Sequence, residues 1–342
     1  MATLAVRTLR PRDLARLRSV RQRSDRLDGP VCRFRSSSEL THQVMAALPV
    51  QIQDERGYVA TVDGELCAYL VVERQPRLYQ WELVGIAAGS PRLDTTDDVC
   101  VELWTALIEL AVKQAGQSGT KRLFASADAD GPAYQSLRAN GFEAFENILV
   151  MTGSLPSERV VETPPGMRRQ LTSDVWSVHQ LYHNVTPRAV QFAEALTSSE
   201  WDLDNRAWWR RLVAPNPQSS SFVLDNADGV GAYCRIEKRH GRAMINFMCA
   251  PHCSESIAEF LLSAARAAGV RTNDVVQIVV PGYVLDHVAQ LEPAGFRVSW
   301  ERPGLVKHTT TPVVVRPQLV PVSAVDDRER AMRGVPTLYR GR

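Results

Sequence analysis

The sequence predicts an α/β (α+β) chain of two domains of one build, each a mixed central sheet flanked by helices. Three observations predict it. The 342 residues suit two domains of about 150 residues each. One order of elements (strand, two helices, three strands, helix, strand, helix, strand) runs through the chain twice. Just before its last strand, each run has a short helix ended by Gly-Phe, at Gly141-Phe142 and at Gly295-Phe296.

In the first run, 3–9 reads as a strand. Pro11-Arg12-Asp13 opens a helix to about Arg23, with Leu14, Leu17 and Val20 at helical spacing. A second helix is expected over 38–48. Strands follow at 57–62 and 66–73, joined by Asp63-Gly64, a strong hairpin signal between apolar runs. Another strand covers 79–88. A long helix over 98–116 puts Leu103, Leu107, Leu110 and Ala111 on one face. A strand (122–126), a helix (132–139) and a last strand (144–152) complete the domain, taken as 1–152.

The segment 153–166 holds Pro156, Pro164 and Pro165 and lacks periodicity, so it reads as a linker. The pattern then restarts in a domain taken as 167–322. A strand at 167–171 leads to a helix capped by Ser173-Asp174 and running to about Asn184. A helical region over 187–212 carries Trp201, Trp208 and Trp209. A hairpin (221–225, Asp228-Gly229, 230–238), a strand (242–250), a helix (256–268), a strand (275–280) and a helix (285–291) follow, and Gly295-Phe296 enters a last strand. The tail, 323–342, is charged and poor in large apolar residues and reads as loose. Two different sequences with one element order favour duplication of a single unit.

Composition excludes several functions. Apolar residues make up 44%, charged residues 23%, and 40 basic residues stand against 38 acidic, a net charge of +2. That is no phosphate-coating excess, so a nucleic-acid partner is not expected. The first ten residues alternate apolar and polar, unlike a secretory leader, and no apolar run could span a membrane. Six scattered cysteines fit reduced thiols in a cytoplasmic protein.

The element order, the strand running into a long helix, and the two helices Tyr134–Phe142 and Asp286–Phe296 closed by Gly-Phe resemble the GNAT superfamily of N-acetyltransferases. The chain is similar to a tandem of two such domains, with degenerate acetyl-CoA loops. The resemblance implies acyl transfer from acetyl-CoA, as cosubstrate, to a small-molecule primary amine by direct attack. In that family the CoA pyrophosphate sits on a Q/R-x-x-G-x-G/A loop that opens the long helix and aims its amides at the phosphates. In the second half the matching loop reads Cys253-Ser254-Glu255-Ser256-Ile257-Ala258, with the glycines replaced. In the first half it reads Thr95-Thr96-Asp97-Asp98-Val99-Cys100, without glycine. Asp94, Asp97 and Asp98 would there repel a pyrophosphate, or serve as ordinary partners of the helix dipole. The second half is therefore the expected CoA site and the first half a structural one.

The resemblance also implies that Phe247, Met248, Cys249 and Ala250 offer backbone groups to the pantetheine arm. A family tyrosine, the acid toward the leaving thiolate, would fall at Leu137 and Leu291, so neither half keeps it. Tyr134 and Tyr283 lie nearby. Tyr134 reads as packing, and Tyr283, at a strand end, is the candidate acid. Candidate bases are strand glutamates Glu73, Glu82 and Glu237, with Glu237 in the favoured half. The alternative is an inactive tandem fold serving as a ligand-binding or interaction scaffold, and a homodimer stays open as a partner.

Other constellations weigh less. Cys249, His252 and Cys253, with Cys234, would need a fourth ligand for zinc, so no metal is expected. His179 and His183 share a helix face but lack the glutamate of a zinc protease and read as surface residues.

Overall fold

In a computed structural model, the structure describes residues 3–17, 20, 23–27, 55–75, 79–90, 95–156, 163–202, 218–227, 229–239 and 241–309. The helix expected over 38–48, Asp94, Trp208-Trp209, Asp228 and the tail lie outside the described residues.

Among the described residues, thirteen strands form one sheet. In the first half they are β1 (Leu4–Thr8), β2 (Arg23–Arg26), β3 (Glu55–Val62), β4 (Glu65–Gln75), β5 (Gln80–Ala88), β6 (Arg122–Ser126) and β7 (Glu143–Gly153). In the second they are β8 (Met167–Arg169), β9 (Gln218–Asn226), β10 (Gly229–Arg239), β11 (Arg242–Cys249), β12 (Val275–Pro281) and β13 (Arg297–His308). The described α-helices are α1 (Leu14–Leu17), α2 (Asp97–Gln117), α3 (Pro132–Ala139), α4 (Val175–Val185), α5 (Arg188–Glu194), α6 (Ile257–Ala267) and α7 (Val288–Leu291).

Local signals act as their chemistry predicts. Asp63 (φ 51°) and Gly64 (φ 82°) both take the left-handed conformation that a tight hairpin between β3 and β4 requires. Gly141 (φ 74°) and Gly295 (φ 94°) end the two short helices. The amides of Phe142 and Phe296 then bond the carbonyls of Leu137 and Leu291, at 3.1 and 3.2 Å. Both phenylalanines are fully buried, one in each half's core.

The duplication extends to a contact that element spacing alone does not single out. Arg7 grips Asp13 with both guanidinium nitrogens, at 2.6 and 2.9 Å, and Arg168 grips Asp174 at 2.6 and 3.0 Å. Each aspartate also accepts a backbone amide three residues back, from Arg10 and from Leu171. Thus Asp174 does not cap α4; it ties β8 to the turn before the helix. The guanidinium bond, ahead of the backbone amide, holds each carboxyl below its ordinary range.

Two expected elements differ. Among the described residues the helix from Pro11 is one short 3-10 turn plus α1, and Arg23, expected as its last residue, instead opens strand β2. Arg23–Arg26 pairs antiparallel with β5 from Ala88 back to Gly85, so an open strand edge overrode local propensity. The stretch expected as a linker begins inside the fold, since Gly153 ends β7 and Leu155 is buried in the second core.

The strand order is β1-β3-β4-β5-β6-β13-β7-β12-β11-β10-β9-β8, with β2 beside β5. The halves exchange their last strands: β13 lies between β6 and β7, and β7 lies between β13 and β12. Side chains follow the exchange. Leu149 and Met151 of β7 are buried in the core beneath α6, and Leu305 of β13 in the core beneath α2. Neither half completes its own core, which is why residues 1–309 make one compact unit.

Candidate active site

The site forms where two parallel strands part. Strands β11 and β12 pair from Arg242↔Val275 to Asn246↔Val279. Past Asn246 they separate, and among the described residues no strand pairs the β12-facing edge of Phe247–Cys249. A cavity of about 620 Å³, open solvent included, lies at this fork. Asn246, Phe247 and Met248 line it from β11, Val279 and Pro281 from β12, and Tyr283 from the turn after β12. Tyr182 on α4, Glu194 on α5, Leu196, Trp201, and Tyr233 on β10 close one side. Glu146 and Ile148 come from β7, so the exchanged strand carries a first-half carboxyl into a second-half cavity.

Two carboxyls share this space. Burial pushes the Glu146 carboxyl up to about 8, and the neighbouring Glu194 charge adds to the effect. Burial likewise raises Glu194 to about 7, although the Tyr182 hydroxyl donates to its Oε2 at 2.8 Å and opposes the rise. The Tyr283 hydroxyl meets Thr186 Oγ1 at 3.4 Å. Burial raises its pKa, with the two glutamates contributing, so the phenol stays protonated at neutral pH.

A hydrogen-bond chain braces the wall. The Trp201 indole, a donor only, donates to His179 Nδ1 at 3.1 Å. His179 therefore carries its proton on Nε2 and donates to His183 Nε2 at 3.2 Å. His183 Nδ1–H then donates to Gln191 Oε1 at 2.7 Å, because the Gln191 amide nitrogen is taken by the carbonyls of His183 and Thr186. His179, expected as a surface residue, is thus a partly buried link. Its Nε2 lone pair is not available to a metal, and among the described residues no group of three metal-ligating side chains forms.

The matching fork of the first half is filled. Strands β5 and β6 pair only from Gln80↔Arg122 to Glu82↔Phe124. Beyond that the chain itself enters the gap. Besides the β2–β5 pairing, the Leu27 amide donates to the Val84 carbonyl at 2.9 Å, and the Ser126 amide donates to the Leu27 carbonyl at 3.1 Å. Arg302 of β13 pairs with Asp128 at the mouth, at 2.8 and 3.2 Å. At the start of α2, Arg23 is ion-paired with Asp97. The acidic loop that would repel a pyrophosphate thus already holds a cation of its own chain.

Comparison with known proteins fits this geometry. No protein-family model matches the sequence, and no curated protein matches it. Among solved structures, a GCN5-related N-acetyltransferase from Sphaerobacter thermophilus superposes with a TM-score of 0.55 at 16% identity, covering 91% of this chain and 97% of that one. The chain has the GCN5-related N-acetyltransferase fold. A tandem GNAT protein from the clavulanic acid biosynthesis pathway aligns at a TM-score of 0.47 and 13% identity, over 91% of this chain and all of that one (100%). A GCN5-related N-acetyltransferase from Anabaena variabilis aligns at 0.44 and 10% identity, over 90% of this chain and 73% of that one.

On this GNAT scaffold the sequence-predicted residues scatter. Phe247, Met248 and Tyr283 line the cavity. Cys249 and Cys253 are buried thiols in the core beneath α6, and burial pushes the Cys249 thiol up to about 12. Ala250 is buried on the opposite face, beneath α4, with its amide donated to the Gly231 carbonyl. The residues Pro251–Ser256 wind as 3-10 turns instead of an open glycine cradle, and Ser256 turns its hydroxyl back to the Cys253 carbonyl at 3.3 Å. Ser254 is partly exposed on that turn, and Ile257 and Ala258 begin α6, with Ile257 in the core.

Glu237 lies four residues along β10 from Tyr233, about 13 Å further on at strand rise, and does not line the cavity. Glu73 lies on β4, and Glu82 is buried on β5 at the closed fork. Leu137 and Leu291 are fully buried and Tyr134 packs on the first core. Glu146, Glu194 and Tyr182 carry no spacing signal that marks them as site residues. Glu146 sits on a strand assigned to the other half, and no local pattern marks an exchange.

Among the described residues, no helix is long and apolar enough to cross a membrane.

Proposed function

We propose that this chain transfers an acyl group from acyl-CoA to a primary amine at one active site, the fork of β11 and β12. The observation that carries this reading is a strand edge left open beside a cavity holding two carboxyls and a protonated phenol. Phe247, Met248 and Cys249 would take the pantetheine arm as an added strand, through backbone hydrogen bonds. The loop Cys253–Ala258 would meet the phosphate end, chiefly through Ser254. Its wound turns fit phosphates poorly, so the arm carries most of the donor binding.

The chemistry balances with the residues present. Glu146 or Glu194, titrating near neutrality, takes a proton from the acceptor ammonium. The freed lone pair attacks the thioester carbonyl and forms the C–N bond. The tetrahedral adduct collapses, the C–S bond breaks, and Tyr283 gives its proton to the leaving thiolate. The proton left on the new amide nitrogen is relayed through the carboxyl pair to the Tyr283 oxygen and restores the phenol, and the proton first taken from the ammonium leaves to solvent.

The test is a thiol-release assay with acetyl-CoA and a panel of amines, beside calorimetric titration of acetyl-CoA alone. Saturable amine-dependent thiol release supports the reading. A folded protein that neither binds acetyl-CoA at millimolar concentration nor releases thiol refutes it, and leaves the scaffold reading.

A further inference from the structure

We infer that the acceptor is a compact amine with one positive charge on an apolar, aromatic-sized body, and that amines bearing a carboxylate or many hydroxyls are refused. This rests on the acyl-transfer reading of the same cavity and narrows its substrate class.

The sign of the charge comes first. Among the described residues the cavity lining contains two carboxyls and no Arg, Lys or His. A ligand carboxylate or phosphate would meet the charge of Glu146 and Glu194 with no cation to offset it, the rest of the polar lining (Asn246 and the tyrosine hydroxyls) being neutral. The number of charges follows from their proximity. The Glu194 charge raises Glu146, so near neutrality the pair holds about one proton between them and presents about one negative charge. One ammonium neutralises that charge, and the further cations of a polyamine find no third carboxyl in the lining.

The body follows from the walls. Tyr182, Trp201 and Tyr233 pack on one another with ring centroids 5.6 Å apart in both pairs and make an aromatic surface on the cavity. Ile148, Leu196, Met248 and Val279 add aliphatic surface. The hydroxyls in reach are engaged: Tyr182 with Glu194, Tyr233 with Ser221, Tyr283 with Thr186. Besides the two carboxyls, the Asn246 amide is the one other side-chain partner the lining offers, so a sugar's several hydroxyls would lose more bonds to water than they regain. An aryl or alkyl group gains dispersion contact and sheds water.

The experiment compares 2-phenylethylamine, phenylalanine, spermidine and glucosamine. Each is measured in thiol release with acetyl-CoA and, separately, in titration of the protein without donor. Phenylalanine is phenylethylamine plus one carboxylate and isolates that group. We expect kcat/KM for phenylethylamine to exceed that of each other amine by at least ~100-fold, as the refusal of an unpaired charge requires. We expect Glu146→Gln, checked for folding by circular dichroism, to weaken phenylethylamine binding at least ~10-fold. Phenylethylamine binding that depends on Glu146 but yields no thiol release keeps the occupant and refutes acyl transfer. Turnover that favours phenylalanine, glucosamine or spermidine keeps acyl transfer and overturns the inference. Binding of none of the four also overturns it.

Discussion

Replacing Glu146 by Gln should make the protein more stable at alkaline pH while lowering its activity. Below the ordinary carboxyl value of 4.5, folded and unfolded chains are both protonated at this position. Between 4.5 and about 8 the unfolded chain releases the proton while the native cavity retains it, so native stability falls as pH rises through that window. The full interval corresponds to a ceiling of roughly 5 kcal/mol at 1.36 kcal/mol per unit. Solvent reaches Glu146 through the cavity mouth, and part of its shift belongs to the pair with Glu194. Both reduce the effect to about 2 kcal/mol. Glutamine keeps the volume and cannot ionise. The variant should therefore match the parent near pH 5 and exceed it by about 2 kcal/mol near pH 9, roughly 3 °C in Tm for a chain of this length. Denaturant melts at both pH values, run beside kcat/KM, measure it. A stability difference that is the same at both pH values, or a loss at pH 9, would refute the reasoning that burial strains this carboxyl.

Three further outcomes follow from the same geometry. In the parent protein kcat/KM should rise with pH through the range 7 to 8, as Glu194 and Glu146 ionise, and a pH-rate profile reads it directly. Tyr283→Phe should lower kcat about 10- to 100-fold with little change in amine KM, and an unchanged kcat removes Tyr283 as the acid. Titration should find one acetyl-CoA per chain, with S-acetylpantetheine turned over within about tenfold of acetyl-CoA because the wound Cys253–Ser256 loop gives the phosphates little. Two sites per chain would contradict the filled fork at Arg23–Leu27, and a far larger donor ratio would contradict the loop.

Local chemistry made much of the fold legible in the sequence. Asp63-Gly64 announced a hairpin because only a left-handed pair closes two twisted strands so tightly. Gly141-Phe142 and Gly295-Phe296 announced helix ends because the glycine permits the reversal and the ring is buried. The repeated order of these signals announced two copies of one unit, and the pairs Arg7–Asp13 and Arg168–Asp174 lay in the same repeat as a weaker signal.

Other features were not legible because they depend on which edge meets which. Arg23–Arg26 has no strand pattern of its own; the unpaired edge of β5 makes it a strand. Nothing near Glu146 marks it as a site residue, since β7 reaches the second-half cavity only after the halves exchange their last strands. Glu194 and Tyr182 lie on helices whose spacing says only that one face is buried.

The sequence by itself determined the repeated unit and the asymmetry between its two halves, because turn chemistry, helix ends and the loss of loop glycines are written in neighbouring residues. Tertiary structure alone decided why the first fork is closed and what fills the second. The first is closed by a segment of its own chain across β5 and β6, and the second receives a carboxyl from the other half. Both follow from strand pairing, which joins residues far apart in the chain and leaves little trace in either partner read alone.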